Sequence, residues 1–342
     1  MTTSLARATL VAYAVVGVCA AGVLGGGRQA ARSTIAFVST RHDSTPVVPG
    51  DPQRSLLAAE IYLMNGDGTE PRRLTENNDY DGFPSMSPDG KRIVFDSNRR
   101  RSATDPFNTS DLFVMNVDGT GQTWVARGSS ATWSPDGKHI AFHASASGTG
   151  QPIKPDPGAA TSDNDIFVVN VDDAITKGTR PTNITNNPAA IDDDADWSPD
   201  GRTILFTSHP VTDNPVNSPG AEIYAVAANG RGVAVRLTNN AEEERAPAWS
   251  PDGQRIVFCC RRGGPDFELC LMNRDGTGQV QLTDNDVPEL TPTWSPDGRR
   301  IAFHRRVGGR GQFQIFVMNA DGSGEIQLTS PPGVSAFPHW SK

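Results

Sequence analysis

The chain has 342 residues, enough for one large or two ordinary domains at about 150 residues each. Its 34 glycines and 26 prolines exceed the combined share of about 12% usual in globular chains, which argues for many turns and short elements and against a long helical bundle. With Lys+Arg 31 against Asp+Glu 39 and a net charge of −8 it lacks the basic excess that phosphate-backbone binding requires, and a mean hydropathy of −0.42 with one apolar stretch excludes a polytopic membrane protein.

That stretch opens the chain. After Arg7 an uncharged run over residues 8–27 ends in small residues before Arg28. It reads as a secretory signal peptide over residues 1–21, cleaved after Ala20 or Ala21 and followed by a linker over 22–32. Val18 before Cys19 speaks against a lipoprotein signal. The competing reading is an uncleaved N-terminal anchor, for which the glycines make a poor spanning helix. After export Cys259, Cys260 and Cys270 remain. Either Cys259 or Cys260 bridges Cys270 across a hairpin, or all three are buried thiols.

From residue 33 onward the sequence is repetitive, and repetition decides the fold. MSPDG stands at 86–90, WSPDG starts at Trp133, Trp197, Trp249 and Trp294, and Trp340-Ser341 begins a copy that the chain end cuts short. A second marker runs in step, as in LCLMNRDGTGQVQLT at 269–283, and occurs six times. Each repeat parses into a short strand ending at the Trp position, a tight PDG turn, a β-branched strand such as QRIVF, a loop, a strand such as LCLMN, a turn and the strand VQLT. Four strands every 45 to 64 residues is the spacing of a propeller blade. Residues 33–37 match the strand that follows PDG but arrive with no WSPDG before them, and Pro338-His339-Trp340-Ser341 supply what is missing. The sequence therefore predicts an all-β, six-bladed β-propeller of four-stranded antiparallel blades over 33–342, closed by pairing of the N- and C-terminal strands.

WSPDG followed by a β-branched strand, with MNxDG and LT downstream, resembles the repeat of TolB-like proteins. The resemblance implies a periplasmic component of envelope complexes whose channel mouth receives a partner segment. TolB proteins carry an additional α/β domain before the propeller. Only the linker over 22–32 is available here, so that domain is expected to be absent, and a place in the Tol-Pal system does not follow from the propeller.

The repeats supply an internal control. Whatever every blade has builds blades, which assigns Asp89, Asp136, Asp200, Asp252 and Asp297 to the PDG turn. Trp133, Trp197, Trp249, Trp294 and Trp340, with Met86 as substitute, fill the space between blades. Function is expected where blades differ, on the face opposite the uniform turns. Five residues before each Trp position stand Asp81, Gly128, Asp192, Glu244, Glu289 and Ser335, where the innermost strands converge on the central channel. Asp193 and Asp194 add charge there and Arg245 offsets part of it. An open carboxylate ring attracts cations: a Ca²⁺ ion needing about 6 to 8 oxygen ligands, held by Asp81, Asp192, Glu244 and Glu289, or the basic side chains of a docking peptide. The alternative is a solvated rim with no ligand.

The loops between middle strands carry Arg41, Arg54, Arg99, Arg100, Arg101, Arg261, Arg262, Arg305, Arg306 and Arg310, a basic surround or simply a solubilising one. GxSxG, HExxH and the P-loop are missing from the sequence. His139 and His143 lie about 13 Å apart along a strand, and His143 and His304 hold one position in blades three apart, where they are expected to pack between strands. The sequence thus reads as a non-catalytic secreted or envelope propeller, monomeric, binding a protein or peptide partner through Asp81, Asp192, Asp194, Glu244, Glu289, Arg99, Arg100 and Arg261. Nucleic acid, a required cofactor, and membrane insertion beyond the N-terminal segment are not expected. The runner-up is a metal-assisted carbohydrate lyase or hydrolase using His42 and His209 with Asp192 or Glu244, and a propeller binding a small ligand or sugar stands between the two.

Overall fold

The computed structural model describes residues 33–42, 59–102, 110–145, 164–210, 220–240, 242–264, 266–308 and 312–341. The signal segment, the linker over 22–32, Arg54, Arg310 and most of the 144–164 insertion lie outside the described residues. No helix among the described residues is long and apolar enough to cross a membrane.

Six four-stranded antiparallel sheets form the six blades. Blade 5 shows the plan: Glu244–Trp249 lies innermost, followed outward by Arg255–Cys260, Glu268–Asn273 and Val280–Gln281. Blade 1 is assembled from both ends of the propeller. Ser335–Trp340 is its innermost strand and pairs with Thr34–Ser39 in the register Ile35↔Trp340, Ala36↔His339, Val38↔Ala336 and Ser39↔Ser335. The predicted closure is therefore present, and it satisfies the edge that each terminal segment would otherwise expose.

The PDG turns repeat one set of hydrogen bonds. Ser250 Oγ donates to Asp252 Oδ1 at 2.6 Å, Asp252 Oδ1 accepts from Gln254 N, and Ser250 Oγ accepts from Arg255 N at 2.9 Å. Gly253 supplies the left-handed position with φ 66°. The same bonds hold Asp89, Asp136, Asp200 and Asp297, which confirms these acids as turn-builders. The tryptophans are buried between blades: Trp133 Nε1 donates to Ser85 O of blade 2 and Trp294 Nε1 to Ala248 O of blade 5.

Two local readings change. VQLT is a two-residue outer strand, because the Thr turns inward and Thr283 Oγ1 accepts the Leu269 amide at 2.9 Å. Thr75, Thr238 and Thr329 do the same in their own blades. The turn expected after Ile166–Asn170 is instead the helix Val171–Lys177. Asn170 caps it by accepting from Asp173 N, Asp172 and Asp173 occupy the first turn, and Gly178 ends it at φ 65°.

The cysteines resolve into a Cys260–Cys270 disulfide and a buried free Cys259. In the other five blades the Cys270 position is aromatic and packs on the Phe of the second strand, stacked in four of them, as in Phe95–Phe113 and Phe303–Phe316, and tilted in Phe37–Tyr62. Blade 5 carries a cross-link where its sisters carry a ring pair.

Candidate functional site

The innermost strands enclose an axial channel with about 140 Å³ of free volume, lined by residues from all six blades. Each of these strands contains one irregularity in register, and at each a non-glycine residue takes positive φ: Phe83, Ser130, Asp194, Ala246, Thr291 and Phe337, between 45° and 55°. A bulge of this kind re-aims a side chain, and here it turns six of them toward the channel. A left-handed residue costs on the order of 1 kcal/mol, so something must hold it. At four of the six positions the holder is a side chain from the preceding blade. Asp96 accepts from Ser130 N, Thr207 Oγ1 from Ala246 N at 3.1 Å, Cys259 from Thr291 N, and His304 Nδ1 from Phe337 N at 3.3 Å. All four sit immediately after the second-strand Phe, at Phe95, Phe206, Phe258 and Phe303.

The backbone device is common to every blade and is scaffold. The side chains it presents are not. Phe83 and Phe337 pack as a tilted ring pair with centroids 4.1 Å apart on one side of the ring, while Asp194 comes from blade 4, three blades from Phe337. Burial raises the Asp194 carboxyl above its usual range, with Asp193 adding to the shift, and Thr207 Oγ1 donates to it at 3.3 Å. Asp193 itself is held down at about 2: burial opposes this, but His143 and His209 bracket it at 3.5 Å each.

The expected open ring of carboxylates is corrected by their burial. Asp81, Glu244 and Glu289 are 0% exposed and Asp192 is 1% exposed. Asp81, Glu244 and Glu289 belong to staples between blades. Asn77 donates its backbone N–H to Glu60 of blade 1 and its side-chain amide to Asp81 of blade 2, both at 2.7 Å. Asn240 joins Glu222 to Glu244, and Asn285 joins Glu268 to Glu289, in the same way. At the remaining acidic joint Asn187 N donates to Asp165, and burial pushes Asp192 up to about 6. The arginines belong to these joints too. Arg99 pairs with Asp81 at 2.8 Å, Arg262 with Glu244 at 2.8 Å and Arg305 with Glu289 at 2.6 Å. Arg261 pairs with Glu243 at 3.2 Å and covers the Phe267 ring, and Arg100 covers Trp124. Of the eight residues singled out from sequence, Asp194 alone lines the channel. Low dielectric explains the pattern: a buried carboxylate is costly unless donors or a cation match it, and Asp81, Glu244 and Glu289 have both, whereas Asp192 has no cation and keeps Oδ1 unpaired.

Nothing gathers the proposed metal ligands. Among the described residues no group of three or more His, Cys, Asp and Glu side chains is arranged to hold a metal ion. His42 lies beside Tyr62 of blade 1 and His209 beside Asp193 of blade 4, so the structure does not bring them together. His304 packs against Phe313 and Phe337, and Arg245 pairs with Glu243.

The Glu268–Glu289 joint makes a measurable prediction. Burial and then the adjoining Glu289 carboxyl push Glu268 up to about 7, so the folded protein binds a proton there that the unfolded chain, with a carboxyl near 4.3, releases. That contribution is complete below about pH 4 and is lost as pH rises toward 7. Gln314 holds the equivalent position in blade 6, so Glu268→Gln fits the site. The melting temperature of Glu268→Gln minus that of the parent is expected to rise from pH 4 to pH 7 and then level; a flat difference contradicts the shared proton.

A model of the TolB beta propeller domain matches residues 158–342, more than half of the chain. The chain belongs to the TolB beta propeller domain family. A TolB homolog of Chlorobium luteolum is 39% identical over 64 residues, covering 19% of this chain and 13% of that protein. An uncharacterized protein of Agrobacterium fabrum is 28% identical over 214 residues, 58% of this chain and 60% of that one. The crystal structure of TolB from Acinetobacter baumannii superimposes with a TM-score of 0.65 at 20% identity, over 90% of this chain and 66% of that chain. The chain thus spans less than two thirds of each of these relatives. At 20% identity the superposition establishes the TolB propeller fold and nothing finer.

Proposed function

We propose that this TolB-type propeller is a non-catalytic module of the cell envelope that docks a segment of a partner protein at the loop-side mouth of its channel. The observation that carries the reading is the bulge ring, in which one backbone geometry repeated six times presents six positions whose side chains differ. The paired phenylalanines offer apolar contact at one side of the ring and Asp194 a hydrogen-bonding group from blade 4. Apolar surface with a few convergent polar groups is the usual composition of a binding site. Arg99, Arg100 and Arg261 lie around this mouth in the proposal, shaping it through their ion pairs and ring contacts. The apolar N-terminal run and the Cys260–Cys270 disulfide support export to an oxidising compartment.

Site-specific photo-crosslinking tests the proposal. A photoreactive residue at Ser130, on the ring, is expected to capture one partner from the producing cell's envelope, whereas the same residue at Lys91, on the PDG-turn face, is expected to capture none. Capture from position 91 and not 130 overturns the assignment of the face.

A further inference from the structure

Next to the channel, lined by residues of blades 1, 2, 4, 5 and 6, lies a second cavity of about 280 Å³ with a mostly apolar wall. Phe83, Phe267, Phe313 and Phe337 together with Leu290 form most of that wall. Its polar groups are few: Asp194, Arg245, Thr291 and His304.

His304 is the group whose chemistry can be fixed. The Phe337 backbone N–H can only donate, so Nδ1, which it reaches at 3.3 Å, must be an acceptor. The Thr291 hydroxyl, 2.8 Å from the same nitrogen, then donates as well. Burial keeps this ring neutral by lowering its pKa to about 3. A neutral imidazole carries one proton, which is therefore on Nε2. Nε2 has no hydrogen-bond partner among the described residues, although His304 is only 2% exposed and borders the cavity. An oriented donor with no protein partner at the cavity wall is available to a molecule that enters the cavity.

The remaining polar groups set the ligand's charge. Arg245 is already paired with Glu243, and Asp194 accepts from Thr207 Oγ1, so a ligand of either charge would enter a low-dielectric space with no uncommitted counter-charge to meet it. Four phenyl groups and a leucine leave too few donors and acceptors for a sugar, whose hydroxyls each need a partner.

We propose that this cavity binds a small, neutral aromatic molecule carrying a carbonyl-type oxygen, with the ring among Phe267, Phe313 and Phe337 and the oxygen accepting from His304 Nε2–H. The volume suits one ring with one substituent. The cavity shares Phe83, Asp194, Ala246, Thr291 and Phe337 with the channel ring, but the ligand is tested without any partner, so failure to bind it leaves the docking reading standing.

Benzamide is the probe, with toluene, benzoate and benzylammonium as comparisons. The full chain is labelled with 15N-histidine and titrated while the Nε2–H signal of His304 is followed, the signal being assigned by its loss in His304→Phe. Benzamide is expected to bind saturably and shift that signal, more tightly than any comparison compound, and His304→Phe is expected to weaken binding about fivefold to tenfold. The proposal is overturned if benzamide does not saturate at millimolar concentration, if toluene binds as tightly with the signal unmoved, or if a charged analogue binds best. Should His304→Phe fail to fold, the signal that responds is assigned by Thr291→Val, which removes a bond to the same ring, and the titration of the parent protein decides.

Discussion

Trp340→Ala is expected to destabilise the propeller by about 3 to 5 kcal/mol, the range for removing a fully buried large aromatic. Trp340 is 0% exposed and sits at the seam where the chain closes on itself, packed with Ile35, Phe37, Tyr62 and Met64 of blade 1 and with Ala302, Ile315 and Val317 of blade 6. Arg300 of blade 6 lies over its ring at 4.8 Å. The loss differs from that at any other tryptophan because the innermost strand Ser335–Trp340 is joined to Thr34–Ser39 only through space. A weakened seam opens the ring, whereas blades 2 to 6 are covalently continuous with their neighbours. Trp340→Met is expected to cost less, because Met86 fills the same position in blade 2. Urea denaturation reads both: a midpoint for Trp340→Ala equal to that of the parent would mean the closure contributes little.

Arg305→Ala is the second large effect, again about 3 to 5 kcal/mol, because it strands Glu289 in a site with 0% exposure. Asn285 and Thr283 still donate to that carboxylate at 2.6 Å and 2.7 Å, but neither supplies a compensating charge. The guanidinium also lies 4.9 Å from the Phe316 ring, so packing is lost with the charge. Adding Glu289→Gln to Arg305→Ala is expected to restore part of the stability, since the uncompensated charge disappears while the Asn285 bond can persist. If Arg305→Ala is within about 0.5 kcal/mol of the parent, the pair behaves as an exposed surface bridge and the staple description is wrong.

These joints show how far the sequence can be read. Blade number, strand order and the terminal closure were legible because WSPDG and MNxDG recur in register, and recurrence fixes architecture without knowledge of any contact. The acidic positions were located correctly along the chain and misjudged in environment. A signal for their burial was present: wherever the position five before the Trp is acidic, an Asn stands four or five residues earlier, as Asn77, Asn187, Asn240 and Asn285, and where it is Gly128 or Ser335 no such Asn occurs. Correlated residues of that kind mark a hydrogen-bonded joint. The helix Val171–Lys177 also had its markers, an Asn cap, two acids and a closing Gly, which the expectation of a sixth identical turn concealed.

The bulge ring was not legible. Its residues, Phe83, Ser130, Asp194, Ala246, Thr291 and Phe337, share no single chemistry, since only their backbone is alike throughout, and positive φ leaves no trace in residue identity when five different residue types adopt it. Their supports after the second-strand Phe vary as well, with Asp96, Thr207, Cys259 and His304 accepting the same kind of amide bond. They are one device realised with different acceptors.

The central claim is that stability resides in the carboxylate joints and partner docking in the ring. The triple variant Phe83→Ala, Asp194→Asn, Phe337→Ala separates the two, since Ala246 shows that alanine accepts the ring geometry and asparagine tolerates left-handed backbone. The decisive measurement is cross-linked partner recovery on this variant beside its thermal unfolding curve. The account predicts a Tm within about 4 °C of the parent together with loss of the partner that Ser130-directed cross-linking captures. Undiminished capture, or loss of capture only in step with a collapse in Tm, would contradict it.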